Sequence, residues 1–126
     1  MVIGSGIDII EVERIQFAKD KWQDRFLKKV FTEKELSYAN GKKTAAEHLA
    51  ARFAIKEAVV KAFSVNGKKY LGDWTDIEVS NDKSGRPFVN LYGNFARVRK
   101  KRRVKQIIIS VSHTHRYAVA SVILTK

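Results

Sequence analysis

The sequence predicts an α+β fold, with an antiparallel sheet packed against one long central helix and several shorter helices. Three observations support this prediction. Apolar residues alternate in residues 2–10, which indicates a strand. An alanine-rich stretch over residues 45–63 has no Gly or Pro and indicates a long helix. Later apolar segments are separated by turn-forming residues, as in hairpins. With 126 residues, the chain is expected to form one domain spanning residues 1–126.

The first segment predicts a strand and then two short helices. Ile3, Ile7 and Ile9 occupy odd-numbered positions within residues 2–10, as expected for a strand whose two faces differ. Apolar residues at helical spacing follow in two groups, over residues 12–17 and 22–30. Gly4-Ser5-Gly6 lacks the third glycine of a dinucleotide-binding loop. It is better explained as a strand that another part of the backbone approaches closely.

Two patterns typical of capping boxes predict two more helices. Residues 32–35 (TEKE) begin a helix that Asn40-Gly41 ends. Residues 44–47 (TAAE) have the same spacing and begin the longest helix, over residues 45–63.

The C-terminal half predicts a loop followed by two antiparallel hairpins. Its loop covers residues 64–74, where glycine and polar residues are frequent. The strands are expected at residues 75–80 and 87–91 around a turn at 81–85, and at residues 104–112 and 117–125 around a turn at 113–116.

Composition excludes several classes of function. The absence of cysteine removes disulfide frameworks, thiolate nucleophiles and zinc fingers. No apolar segment approaches the ~20 residues of a membrane-spanning helix, so no membrane partner and a cytoplasmic location are expected. The net charge of +12 predicts an anionic partner: nucleic acid, a phosphorylated ligand, an acidic protein or a membrane surface.

Two carboxylates and one lysine are candidates for catalytic chemistry. Glu57 and Lys61 lie at i,i+4 on the predicted long helix, on a stripe of small residues. The alternative is an ordinary surface ion pair. Asp8 lies in the first predicted strand, where it either faces water or converges with Glu57 on a hard cation such as Mg²⁺.

Two further groups of polar residues have less specific explanations. His113 and His115 lie at a predicted turn, where they could chelate a metal without a visible third ligand or donate hydrogen bonds to an anion. A Ser112–His113 catalytic pair is disfavoured because adjacent strand residues point to opposite faces. Residues 97–105 hold seven basic residues in nine and give an alternative function, a module that binds nucleic acid or another anionic surface. Few aromatic residues are interleaved with them, so nucleic acid is the less expected partner.

Three segments in order resemble the holo-[acyl-carrier-protein] synthases, the small bacterial type of 4′-phosphopantetheinyl transferase. They are residues 4–14 (GSGIDIIEVER), 52–62 (RFAIKEAVVKA) and 110–118 (SVSHTHRYA). The resemblance covers nearly the whole chain and is weakest over residues 93–105. It implies the fold of that family and transfer of the phosphopantetheine arm of coenzyme A to a serine of apo acyl carrier protein, releasing adenosine 3′,5′-bisphosphate.

The resemblance also implies roles for individual residues. Asp8 and Glu57 would be ligands of Mg²⁺, and a carboxylate would take the serine proton, directly or through water. Lys61 would lie beside the phosphates. The other residues implied in coenzyme A binding are Arg52, His113 and Lys43.

The family's carrier protein is strongly acidic, and the resemblance implies a basic docking surface on the first two helices. The implied docking residues are Arg14, Arg25 and Phe26, extended by Lys21, Lys28 and Lys29. A homotrimer with active sites between subunits is also implied. The chain departs from the family over residues 64–67, where SVNG replaces the usual Gly-Thr-Gly.

Overall fold

A computed structural model describes residues 1–64 and 72–126 of the chain. Strand β1 (Val2–Glu11) leads directly into helix α1 (Val12–Trp22). The next helices are α2 (Asp24–Val30), α3 (Glu33–Ala39) and α4 (Ala45–Phe63). After a short 3₁₀ helix (Trp74–Asp76) come β2 (Ile77–Asn81), β3 (Pro87–Leu91), α5 (Gly93–Lys101), β4 (Gln106–His113) and β5 (Tyr117–Thr125).

The strands form two antiparallel sheets, and α4 packs against the larger one. The larger sheet has the order β1-β5-β4, and β2 pairs with β3 in the smaller one. The predicted α+β class is therefore confirmed. The predicted strand over residues 75–80 begins too early, because residues 74–76 form the 3₁₀ helix. Part of the predicted loop, residues 65–71, lies outside the described residues.

Two glycines allow β1 to lie directly against α4. A Cβ atom at Gly4 would overlap the carbonyl oxygen of Ala62, and one at Gly6 would overlap that of Ala58. Since any side chain would force the strand away from the helix, only glycine fits at this crossing. The predicted close approach of backbone at residues 4–6 is confirmed, and the approaching element is α4.

The parity of β1 corrects one of the expectations for Asp8. Ile7 and Ile9 are 64% and 66% exposed and point away from α4. Asp8 shares the other parity with the glycines and is only partly exposed. The alternative in which Asp8 faces water is therefore wrong, because the close packing against α4 determines which face of β1 is inward.

One predicted capping box forms and the other does not. The Thr32 side chain accepts a hydrogen bond from the backbone N–H of Glu35, and the Glu35 carboxylate accepts one from the backbone N–H of Thr32. Thr44 makes no side-chain cap at the start of α4. Its predicted partner Glu47 instead contacts two histidines of the C-terminal hairpin.

A buried ion pair joins α3 to α4. Lys56 and Glu35 are both 0% exposed, and Lys56 Nζ lies 2.7 Å from Glu35 Oε1. Lys56 Nζ also donates to the carbonyl oxygens of Val30 and Trp74, while Glu35 Oε2 accepts from the backbone N–H of Val79. Four elements around the central helix are thereby tied to it.

Candidate active site

A cleft of about 840 Å³ lies between α1, α2 and the inner side of β1. Two of the predicted site residues, Asp8 and Glu57, line it from β1 and α4. Aromatic side chains line much of the remaining cleft wall, together with the charged residues Glu11, Glu13 and Arg14. The aromatic lining residues are Phe17, Trp22, Phe26 and Phe53. The cleft therefore joins an acidic floor to a wall of mixed aromatic and charged side chains.

Lys61 is held at the acidic floor by two contacts from β1. Its Nζ lies 3.1 Å from Asp8 Oδ1 and donates a 2.9 Å hydrogen bond to the carbonyl oxygen of Ile7. The Lys61 side chain remains about two-fifths exposed, whereas the Asp8 side chain is largely covered. An ammonium group is thus fixed beside a carboxylate while still facing solvent.

Glu57 lies one turn before Lys61 on α4 and is partly exposed. Lys61 forms an ion pair with Asp8 across the contact between α4 and β1. The stripe of small residues that precedes Glu57 is fully buried at Ala50 and Ala54. The structure thus brings Asp8, Glu57 and Lys61 to one location, although they lie far apart in sequence.

A second polar cluster forms where the C-terminal hairpin meets the first turns of α4. Glu47 Oε1 lies 3.2 Å from His113 Nδ1, and Glu47 Oε2 lies 2.9 Å from His115 Nδ1. The His48 ring contacts the His113 ring edge-on at 5.6 Å between centroids. The hydrogen bond from His115, followed by that from His113, lowers the pKa of Glu47 against the opposing effect of burial. Burial is the main cause that lowers the pKa of His48.

Sequence reasoning missed Glu47 as the partner of both histidines. Its only sequence signal, the capping-box spacing, pointed to a different role. His113 and Asp8 flank the same strand and face the same side of the sheet, since their partners Ala118 and Ala120 on β5 are both buried. The histidine cluster and the acidic floor therefore lie on one side of the sheet.

The other two residues implied in ligand binding have different environments. Arg52 is buried, stacks on Tyr38 at 4.1 Å and donates a 2.9 Å hydrogen bond to Asn81 Oδ1. Its Nε atom is buried without a hydrogen-bond partner. Burial lowers the pKa of Arg52. Lys43 is exposed in the turn before α4.

The predicted docking residues lie on adjacent surfaces of α1 and α2. Arg14 lines the cleft, and Arg25 and Lys29 line a shallow pocket beside it. Phe26 lines both hollows and also packs edge-on against the buried Phe31. The remaining two lysines are exposed: Lys21 lies over the rings of Phe17 and Trp22, and Lys28 pairs with Asp24 at 3.6 Å.

Comparisons with known proteins show the family of the chain. The sequence model of the 4′-phosphopantetheinyl transferase superfamily matches residues 4–122. The chain belongs to that superfamily. A holo-[acyl-carrier-protein] synthase of Halothermothrix orenii is 43% identical over 123 residues, covering 98% of this chain and 97% of the relative. One of Koribacter versatilis is 44% identical over 124 residues, covering 98% of each.

Solved structures of the same type of enzyme share the fold. The holo-[acyl-carrier-protein] synthase of Neisseria meningitidis has a TM-score of 0.88 at 26% identity, with 100% of both chains covered. The enzyme of Bacillus anthracis, solved in complex with coenzyme A (3′,5′-ADP), has a TM-score of 0.76 at 36% identity, covering 98% of this chain and 96% of that one. The resemblance seen in the three sequence segments is therefore confirmed over the full chain.

Proposed function

We propose that the chain transfers the 4′-phosphopantetheine arm of coenzyme A to a serine of apo acyl carrier protein. The observation that carries this proposal is that Asp8 and Glu57 line one cleft while Lys61 pairs with Asp8, in a chain with the relatives described above. The carrier serine oxygen would attack the phosphorus that bears the pantetheine arm. The bond to adenosine 3′,5′-bisphosphate would break, so one phosphoester replaces one phosphoanhydride.

Asp8 and Glu57 fit a Mg²⁺ ion in their chemistry. Magnesium is commonly held by one or two carboxylates, with water and substrate phosphates completing its shell. Within residues 1–64 and 72–126, no three metal-ligating side chains form a closed cluster, so substrate oxygens would be needed at these carboxylates. Bound Mg²⁺ would supply neutralisation of the negative charge on the pyrophosphate.

The chain's own residues would provide the remaining catalysis. Lys61 is oriented by Asp8 and the Ile7 carbonyl and would stabilise negative charge on the departing bisphosphate. A carboxylate of the acidic floor would receive the serine proton, directly or through water.

The histidine cluster would contact another part of coenzyme A. A histidine that donates Nδ1–H to a carboxylate keeps its other ring nitrogen for a ligand. Glu47 is placed to orient His113 in this way. Lys43 is free to move toward a phosphate from its exposed turn, while Arg52 would need to leave its contact with Asn81 to do so.

Carrier docking would use the basic surface of α1 and α2. Exposed cations there surround exposed aromatic rings, an arrangement that suits an acidic protein helix. Arg14 lies at the cleft mouth and would align the carrier serine with the acidic floor. Cations farther along α2 would mainly increase the association rate.

We also propose that three copies associate through the outer face of the larger sheet. Ile7 and Ile9 of β1 lie on this face, and so do Ile108 and Ile123 of the paired β4 and β5. All four isoleucines are exposed in the single chain. A continuous apolar sheet face of this kind marks a protein interface. The expected homotrimer would bury it.

Mass spectrometry of an apo acyl carrier protein tests the function directly. After incubation with this chain, coenzyme A and Mg²⁺, we expect the carrier mass to increase by one phosphopantetheine arm. A chelator and the Glu57→Ala variant should each abolish the increase. The matched control Glu33→Ala, in an exposed position on α3, should keep it. A folded sample that modifies none of several carriers would refute the proposal.

A further inference from the structure

The negative and positive charges of the chain are unevenly distributed. No Asp or Glu follows Asp82, whereas all the cations of residues 97–105 lie after it. No ion pair joins these cations to a carboxylate in the described part of the chain. Their positive field is therefore uncompensated locally, which favours an anionic surface.

Two of these cations hold the fold together. Arg102 donates hydrogen bonds to the carbonyl oxygens of Phe63 at the end of α4 and Ile3 in β1. Arg99 donates to the carbonyl oxygens of Val104 and Lys105. These contacts fix the end of α5 against one end of the larger sheet.

The remaining cations project from that end into solvent. The exposed ones are Arg97, Lys100, Lys101, Arg103 and Lys105, and within residues 1–64 and 72–126 their side chains form no ion pair. The backbone N–H of Lys105 donates to Thr125, next to Lys126 at the end of β5. Hydrogen bonds thus connect the end of α5, the start of β4 and the end of β5 into one surface.

Exposed apolar side chains lie among these cations. The backbone of Lys126 bonds to Met1, and Val2 pairs with Thr125. Met1 is 89% exposed and Val2 is 60% exposed. We define the basic end as Met1, Val2, Lys100, Lys101, Arg103, Lys105 and Lys126. It lies about 20 Å along β1 from Asp8, at ~3.3 Å per residue, and is separate from the cleft.

We propose that the basic end binds the surface of a bilayer that carries anionic lipid head groups. Lysines and arginines would contact the head-group phosphates, and Met1 and Val2 would enter the boundary with the acyl chains. Nucleic acid would use only the cations of this surface, whereas a bilayer would also take up the exposed aliphatic side chains of Met1 and Val2.

This contact is peripheral. No helix in the two described ranges has the length and apolar character needed to cross a bilayer. The expectation of no membrane partner followed from the lack of a spanning segment, and a peripheral contact needs no such segment. Binding of this kind depends on lipid charge and weakens with salt.

Sedimentation with vesicles tests the proposal on the full chain. We expect binding to an equimolar mixture of phosphatidylcholine and phosphatidylglycerol, and none to phosphatidylcholine alone. The triple variant Lys100→Gln/Lys101→Gln/Lys105→Gln should weaken binding on the order of 100-fold, at about fivefold per cation near an anionic surface. The control Lys34→Gln/Lys83→Gln/Arg86→Gln removes equal charge from exposed positions elsewhere and should change binding less than about twofold.

A second variant separates lipid from nucleic acid. Val2→Ser should weaken vesicle binding about fivefold and leave any binding to duplex DNA unchanged. Three results would overturn the proposal: no dependence on phosphatidylglycerol, equal losses in the two triple variants, or a triple-variant effect confined to DNA. Phosphopantetheine transfer to a soluble carrier protein, measured without vesicles, should be the same in both triple variants. A failure of the lipid proposal can therefore be told apart from a failure of the proposed function.

Discussion

Replacing Lys56 by methionine removes one half of the buried ion pair while keeping a side chain of similar length. The Glu35 carboxylate would remain 0% exposed and lose the ammonium at 2.7 Å. Breaking a buried pair from one side costs about 3–5 kcal/mol, because the other charge is left uncompensated. Burial already lowers the pKa of Lys56, against the opposing effect of Glu35.

That loss is large beside the total stability of a domain, which is about 5–15 kcal/mol. Urea unfolding followed by circular dichroism should therefore give a much lower midpoint for Lys56→Met, with an unchanged slope. The control Lys34→Met, on the exposed face of α3, should stay within about 0.5 kcal/mol of the parent chain.

The double variant Glu35→Met/Lys56→Met gives the sharper comparison. It leaves no orphaned charge, so its loss of unfolding free energy should be smaller than that of Lys56→Met alone. A loss below about 1 kcal/mol in the single variant, or a larger loss in the double variant, would refute the reasoning about an uncompensated buried charge.

Three further predictions concern the sheet and the histidine cluster. Gly6→Ala should lower the unfolding free energy by about 3 kcal/mol or prevent folding, because its Cβ would overlap the Ala58 carbonyl oxygen and lie 2.8 Å from the Ala62 nitrogen. The control Ser5→Ala, on the outward face of β1, should not lower the unfolding free energy in this way. The pKa of Glu47 is below the usual 4.5. The stability difference between the parent chain and Glu47→Gln, measured by urea unfolding, should therefore be present above pH 4.5 and decrease as pH falls through the lowered pKa. A difference that grows on acidification would contradict this. Ile108→Lys should convert a trimer to monomers in analytical ultracentrifugation, and a variant that stays trimeric would exclude this face as the interface.

Much of the fold could be predicted from local sequence. The 45–63 helix was predicted with its observed bounds, because alanine density and the lack of Gly and Pro act within the segment itself. The Thr32–Glu35 capping box was also confirmed, since both partners lie in one turn. The same pattern at Thr44 was wrong, and Glu47 instead contacts two histidines of a hairpin that is distant in sequence.

The candidate site could be predicted only in part. The resemblance singled out Asp8, Glu57 and Lys61. In the structure Asp8 and Glu57 line one cleft, and Lys61 pairs with Asp8. Their roles stay predictions. The contact between Lys61 and Asp8 had no sequence signal, because it joins residues 53 positions apart. The spacing between Glu57 and Lys61 indicated a pair along the helix instead.

The sequence by itself determined the fold class, most helix and strand positions, the basic charge and the family. These depend on periodicity, propensity and composition, which act over a few residues or over the whole chain. Only the tertiary structure decided which face of β1 is inward, which partner each charged side chain takes, and where the exposed cations collect. Those outcomes depend on distances between elements. Gly4 and Gly6 indicated a close approach of backbone, but only the structure shows that the approaching element is α4 and that this face of β1 is inward.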